Sequence, residues 1–362
     1  MNCAIKLKTL SPVFIGSGVE LNKKEYVRAE KDVIVTDMPK LYRYLQAKGF
    51  AAQYETFLSQ NWKGLDEFLA ETRIAGKDYA QFTKYRIDSG EAFRERLDNR
   101  GKTSVKGIAS FMRDAYGKPY LPGSSVKGAL RTAVLSRLVS EDAASYRQAA
   151  GEDWINGRKN DRSGRAIEEK AFRSLKFNEN NRNDAVNDIF RAVSVSDSRP
   201  LKDADMTLCQ KIDEDVEGNE HAINILRECV KPGAAMEIPL SIDRAMFASL
   251  SDDPCRYIMD CVKVLSEYQS KFADAFEGSK PYAPDEIIIG GGAGYVSKTV
   301  TYPMYQEDAV GKVAQLMQNQ FRNHKHDRDV RTFHVSPHAL KCTRWNGVLY
   351  DMGLCEIAVE ER

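Results

Sequence analysis

Three short segments of the 362-residue chain combine glycine with serine or lysine as a phosphate cradle would: Ile15-Gly16-Ser17-Gly18, Leu121-Pro122-Gly123-Ser124-Ser125-Val126-Lys127-Gly128, and Ile289-Gly290-Gly291-Gly292-Ala293-Gly294. Glycine and serine let a backbone approach a ligand closely, and the amides that open a helix point at anions. In the second segment Ser124 and Ser125 precede a helical pattern, with Lys127 and Arg131 four residues apart on one face. The order is not that of a nucleotide-binding P-loop: Lys127 precedes Gly128, and the segment has no Gly-Lys-Ser/Thr. In the third segment Lys298 adds a cation, and Tyr295 offers either a face on which a base stacks or a hydrophobic anchor for the loop. Each segment also has a plainer account. These are a Pro-Gly turn with a serine cap at 121–128, a bulge at 290–294 and a tight turn at 15–18.

Histidine is the other residue type that could do chemistry near neutral pH. His324 and His326 lie in RNHKHDRDVR, and His334 and His338 in HVSPHAL, so a pair in three dimensions would suit metal-independent RNA cleavage. Spacing alone does not establish such a pair, and no acidic ligand is firmly placed beside it. A basic, solvated loop is the simpler account of 322–331. No histidine occurs in residues 11–20, 119–132 or 286–299, where the glycine segments lie. The expectation is therefore a protein without catalytic residues, metal or cofactor.

The elements that must position these segments are legible in part. CAIKLKTL at 3–10 alternates as a half-buried strand and runs into the first glycine segment; 25–37 reads as a strand pair, followed by a helix capped by Asp37. Phe57, Leu58, Trp62, Leu65, Phe68 and Leu69 suggest helices within a charged insertion at about 50–105, with Trp62, Phe68 and Tyr79 read as core. A helix starts near Ser124. Residues 150–184 read as a mobile loop, 194–198 as a strand, 203–220 as an acidic surface excursion and 219–231 as a helix. A strand at 235–242, helices at 251–277 and 306–320, and a closing hairpin over 339–360 turned by Asn346 and Gly347 complete the chain.

Composition bounds the class. At 42% hydrophobic and 29% charged the chain is an ordinary globular protein, long enough for two domains, expected at about 1–205, with insertions near 50–105 and 145–185, and at 206–362. No apolar run approaches a membrane span and the N-terminus reads as a strand, so a cytoplasmic protein is expected. Cys3, Cys209, Cys229, Cys255, Cys261, Cys342 and Cys355 form no CxxC pair, which speaks against a disulfide framework or a zinc ribbon. The net charge of +1 conceals an uneven distribution: residues 84–137 hold twelve Lys or Arg against five Asp or Glu, and 203–220 hold seven acids against Lys211 alone. A polyanion can be held where cations cluster, whatever the total. The acidic stretch and the 50–105 insertion could also dock proteins, although solvated surface is the simpler account.

Taken together, a first strand ending in Pro-x-x-Ile-Gly-Ser-Gly, a PGSS-x-KGA-x-RTA helix start, Val-Ser-Asp-Ser at 195–198 and an Ile-Gly-Gly-Gly-Ala-Gly loop resemble the RAMP superfamily. The likeness runs in order from residue 5 to about 355. Among RAMPs the chain looks most like the Csm subunit of type III-A CRISPR complexes that caps the backbone end bearing the 3′ part of the guide RNA. The resemblance implies an α+β fold of tandem RRM-like, ferredoxin-like units with helical and loop insertions. It also implies non-catalytic binding of the CRISPR guide RNA and support for assembly and for maturation of the guide 3′ end. Carried over residue by residue, the RNA contacts are Gly16, Ser17, Gly18, Ser124, Ser125, Lys127, Arg131, Gly290, Gly291, Gly292 and Lys298. Implied partners are neighbouring Csm backbone subunits and host nucleases that trim the guide, with no membrane. An endoribonuclease, as some RAMPs are, is the competing reading.

Overall fold

The computed structural model describes residues 1–29, 31–92, 107–151, 153–156 and 162–362. The cationic stretch counted over 84–137 and the glycine- and asparagine-rich stretch at 150–184 lie partly outside these residues.

The fold is α+β. Alternation in NCAIKLKT buries Cys3, Ile5 and Leu7 from strand Asn2–Thr9. This strand lies inside an antiparallel sheet whose order is Glu286–Ile288, Leu354–Glu361, Asn2–Thr9, Ala235–Ile242, Val193–Val195. The helices Gly123–Glu141 and Pro254–Ala273 supply Val126, Leu130, Val134, Ile258, Val262 and Leu265 to the same core. Along the chain these elements run strand, helix, strand, strand, helix, strand, strand, the connectivity of an RRM-like unit with Glu286–Ile288 added as an edge strand. The second helix starts where Asp253 accepts the Arg256 amide at 3.1 Å and Pro254 takes the first turn.

The second sheet runs Gly16–Leu21, Ile108–Phe111, Glu220–Val230, Met206–Asp215, Thr83–Asp88, Asp32–Thr36, Tyr26–Arg28, with Ala339–Trp345 paired to Met206–Asp215 and Val348–Asp351 beyond it. Helices Met38–Ala47, Ala51–Ser59 and Leu65–Glu71 share a separate core with this sheet, in which Phe57 and Phe68 stack at 4.8 Å. Each sheet hydrogen-bonds strands from both sides of residue 205.

Several local expectations need correction. The acidic stretch and the expected helix at 219–231 are the two arms of one hairpin, Met206–Asp215 and Glu220–Val230. Its turn forms because the Asp215 carboxylate accepts the Glu217 and Asn219 amides, each at 2.9 Å. Burial opposes ionisation of Asp215, but hydrogen bonds from His221, Asn219 and Glu217 outweigh it and lower its pKa to about 2. Trp62 is 71% exposed, because it sits in the turn between two helices. Within 150–184, Ser163–Phe172 is a helix that buries Ile167 and Phe172, and Asn187 holds the following loop through the carbonyls of Asn178, Asn181 and Arg182.

Candidate nucleic-acid interface

The four sequence motifs meet because two close backbone approaches require glycine. Helix Gly123–Glu141 starts against strand Val193–Val195, and a Cβ on Gly123 would overlap the carbonyl oxygens of Val195 and Ser196. The Val-Ser-Asp-Ser motif grips this helix start. Ser198 Oγ accepts the Leu121 amide at 2.9 Å, Ser198 N–H donates to Leu121 O at 2.9 Å, and Asp197 accepts the Gly123 amide at 2.8 Å. Gly290 has φ of +93°, and its Cβ would overlap Phe14 O, while Gly291 N–H donates to Phe14 O at 2.7 Å. The third glycine segment is thus hydrogen-bonded to the residues just before the first.

The result is a cleft of about 420 Å³ between the helix start and the two glycine loops. Six of the expected residues line it: Gly16, Ser124, Ser125, Gly290, Gly291 and Lys298. Ser124, Gly128 and Lys298 are exposed. Lys298 is the charged side chain on its wall among the described residues, and the rest is glycine, hydroxyl or aliphatic. Such a wall suits a backbone with its phosphates better than a metal ion or a reacting carbonyl.

The other five expected residues face elsewhere. Ser17 donates to Ser110 O at 3.3 Å, and Gly18, with φ of +83°, has open space around it. Gly292, with φ of +79°, backs onto the guanidinium of Arg227. Lys127 donates to Val193 O at 2.6 Å, and burial lowers its pKa. Arg131 forks onto Asp188 with two bonds of 3.0 Å, bonds Glu168 at 2.8 Å and lies 3.7 Å from the Phe172 ring centroid. Burial works against the Arg131 charge, yet these carboxylates raise its pKa above the ordinary value. Lys127 and Arg131 therefore hold the helix to the segment 168–193.

Tyr295 packs into the neighbouring core, and its hydroxyl meets Thr301 Oγ1 at 2.8 Å, so it anchors the loop. Two cations beside the third glycine loop escaped the sequence reading. Arg227 lies 5.3 Å from the Phe14 ring centroid, with its pKa lowered by burial, and Lys341 packs behind Gly294 while bonding Asp213 at 2.6 Å. No local motif surrounds either; both arrive on strands of the second sheet.

The model of the RAMP superfamily matches residues 6–266. The CRISPR system Cms protein Csm5 of Mycobacterium tuberculosis is 31% identical over 372 aligned residues, covering 98% of this chain and 96% of that protein. The Csm5 of Streptococcus thermophilus is 27% identical, covering 82% of this chain and 79% of its own. Among solved structures, the crystal structure of T. onnurineus Csm5 superposes with a TM-score of 0.61 at 19% identity, covering 97% of this chain and 99% of its own. A chain of a type III-A Csm–crRNA–target RNA ternary complex superposes with a TM-score of 0.63 at 18% identity, covering 98% of this chain and 100% of its own. The chain therefore belongs to the RAMP superfamily, within its Csm5 family.

Proposed function

We propose that this protein is a crRNA-binding subunit of a type III-A Csm complex that works in the cytoplasm and holds the guide without cutting it. It caps the 3′ side of the backbone, contacts a neighbouring Csm subunit and leaves trimming of the guide to host nucleases. The observation that carries the reading is the convergence of Gly16, Ser124, Ser125, Gly290, Gly291 and Lys298 on one cleft. The relatives are named as Csm5 of a CRISPR system, and one neighbour in fold sits in a Csm–crRNA–target RNA complex. Close backbone contact, few charges and no base-reading side chains give sequence-tolerant binding. Among the described residues no histidine lines the cleft, so the wall carries no imidazole to act as general acid or base in metal-independent cleavage.

Binding of guide-length single-stranded RNA across a salt series, with RNA integrity followed on a gel, tests this. Gly128→Glu places a carboxylate on the cleft wall where nothing lies within 4 Å, so the fold is unaffected and affinity falls about tenfold or more. Lys298→Ala weakens binding of all sequences alike and makes the salt slope shallower by about one. Unchanged binding in both variants removes the cleft as the RNA site. RNA cut without added metal replaces this function with the endoribonuclease reading.

A further inference from the structure

Away from the cleft, the structure builds the histidine pair that spacing left open, and builds it around an acid. Asp329 is fully buried, and each of its oxygens receives an imidazole: Oδ2 from His326 Nδ1 at 2.8 Å and Oδ1 from His338 Nδ1 at 2.7 Å. Ser336 Oγ adds a third bond, to Oδ2, at 2.7 Å. The two imidazole rings lie 4.5 Å apart, inclined at 31°. Two imidazole nitrogens and a hydroxyl thus converge on one buried carboxylate.

We propose that His326, Asp329 and His338 form a binding site for a divalent transition-metal ion of the zinc class. Two imidazole nitrogens and a carboxylate oxygen are a zinc donor set, and the ligand atoms already lie within 4.8 Å of one another. A tetrahedral ion with bonds of about 2.0–2.1 Å holds its ligand atoms about 3.3 Å apart. The imidazole–carboxylate separations of 2.8 and 2.7 Å then open by roughly half an ångström as the ion takes the place of the two Nδ1 protons, each imidazole ligating through Nδ1 and carrying its proton on Nε2. Ser336 orients the carboxylate, as an outer-shell hydroxyl does in metal sites. His326 is 5% exposed, whereas the His338 side chain, 25% exposed, gives the ion a way in and leaves room for a water as fourth ligand.

The site has a structural consequence. His326 and Asp329 are three residues apart, and His338 closes the segment after a turn in which Val335 N–H donates to Asp329 O at 3.2 Å. The Tyr302 hydroxyl donates to Ser336 O, and Tyr302 belongs to helix Thr301–Tyr305, which starts three residues beyond Lys298. An ion held here fastens the segment 326–338 to the element behind the third glycine loop, a positioning role that needs no chemistry at the metal.

The test uses the full chain, purified without a histidine tag, stripped with chelator and titrated with Zn²⁺ and with Co²⁺. The expected result is one saturable equivalent per chain, visible Co²⁺ bands of tetrahedral intensity and a Tm raised by roughly 5 °C at saturation. His338→Ala loses at least 100-fold in affinity and Ser336→Ala about tenfold, while His334→Ala and His221→Ala bind as wild type. The wild-type titration decides even where a variant fails to fold: absence of a single saturable equivalent overturns the site. Equal affinity in folded His338→Ala overturns the ligand assignment.

Discussion

Gly290→Ala lowers stability by about 2–5 kcal/mol, whereas Gly291→Ala next to it is nearly neutral. At Gly290 two costs add. The backbone has φ of +93°, outside the range an alanine adopts readily, and the new methyl falls on Phe14 O. Positive φ costs about 1–2 kcal/mol for a residue with a Cβ, and overpacking against an immobile group about 1–3 kcal/mol. At Gly291 the nearest atom to a Cβ is the Phe14 ring at 3.5 Å, ordinary contact, with no positive φ. Urea unfolding of the two variants makes the comparison, and equal midpoints would show that the loop is not held against Phe14. Because Gly290 and Gly291 both line the cleft, Gly290→Ala also weakens RNA binding, and Gly291→Ala leaves it within a few fold.

Arg131→Ala lowers stability by about 3 kcal/mol and leaves the salt slope of RNA binding as it is in the wild type. The substitution strands Asp188, whose side chain is 13% exposed, and removes the guanidinium that covers Phe172. Breaking a largely buried pair from one side leaves an uncompensated charge, the costly case. Arg173 also bonds Asp188, at 2.9 Å, which keeps the loss at the lower end of the range for such pairs. Asp188→Asn should weaken the protein in the same direction. A variant that folds with wild-type stability but shows a shallower salt slope would return Arg131 to the RNA contacts. Lys127→Ala is expected to follow Arg131, since its ammonium is held by Val193 O.

The two histidine hypotheses separate by place. The nuclease reading needs a histidine at the RNA, whereas the pair that forms lies around Asp329, with His324 and His334 exposed outside it. A metal bound there and intact RNA on the gel are compatible outcomes.

What the sequence determined by itself is local. Alternation identified the first strand, the Asn346-Gly347 hairpin has the positive φ values its turn requires, and Asp37 caps the helix at Met38–Ala47 by accepting the Lys40 amide. The glycine motifs were visible because a close backbone approach leaves only glycine possible, and that constraint is written at single positions such as Gly123 and Gly290. Tertiary structure decided the rest. Charge alone made Lys127 and Arg131 look like phosphate ligands, but whether a cation faces solvent or a carboxylate depends on Asp188 and Glu168, which are distant in sequence. The acidic stretch looked like free surface because its polarity hid a hairpin whose pairing partners lie in other strands. Asp329 stayed unnoticed beside four histidines, since a carboxylate three residues from one imidazole and nine from another becomes shared only when the chain turns back on itself. Strand order, which joins residues 2–9 to 235–242 and 354–361, is fixed by non-local hydrogen bonding and core burial, and no local pattern encodes it.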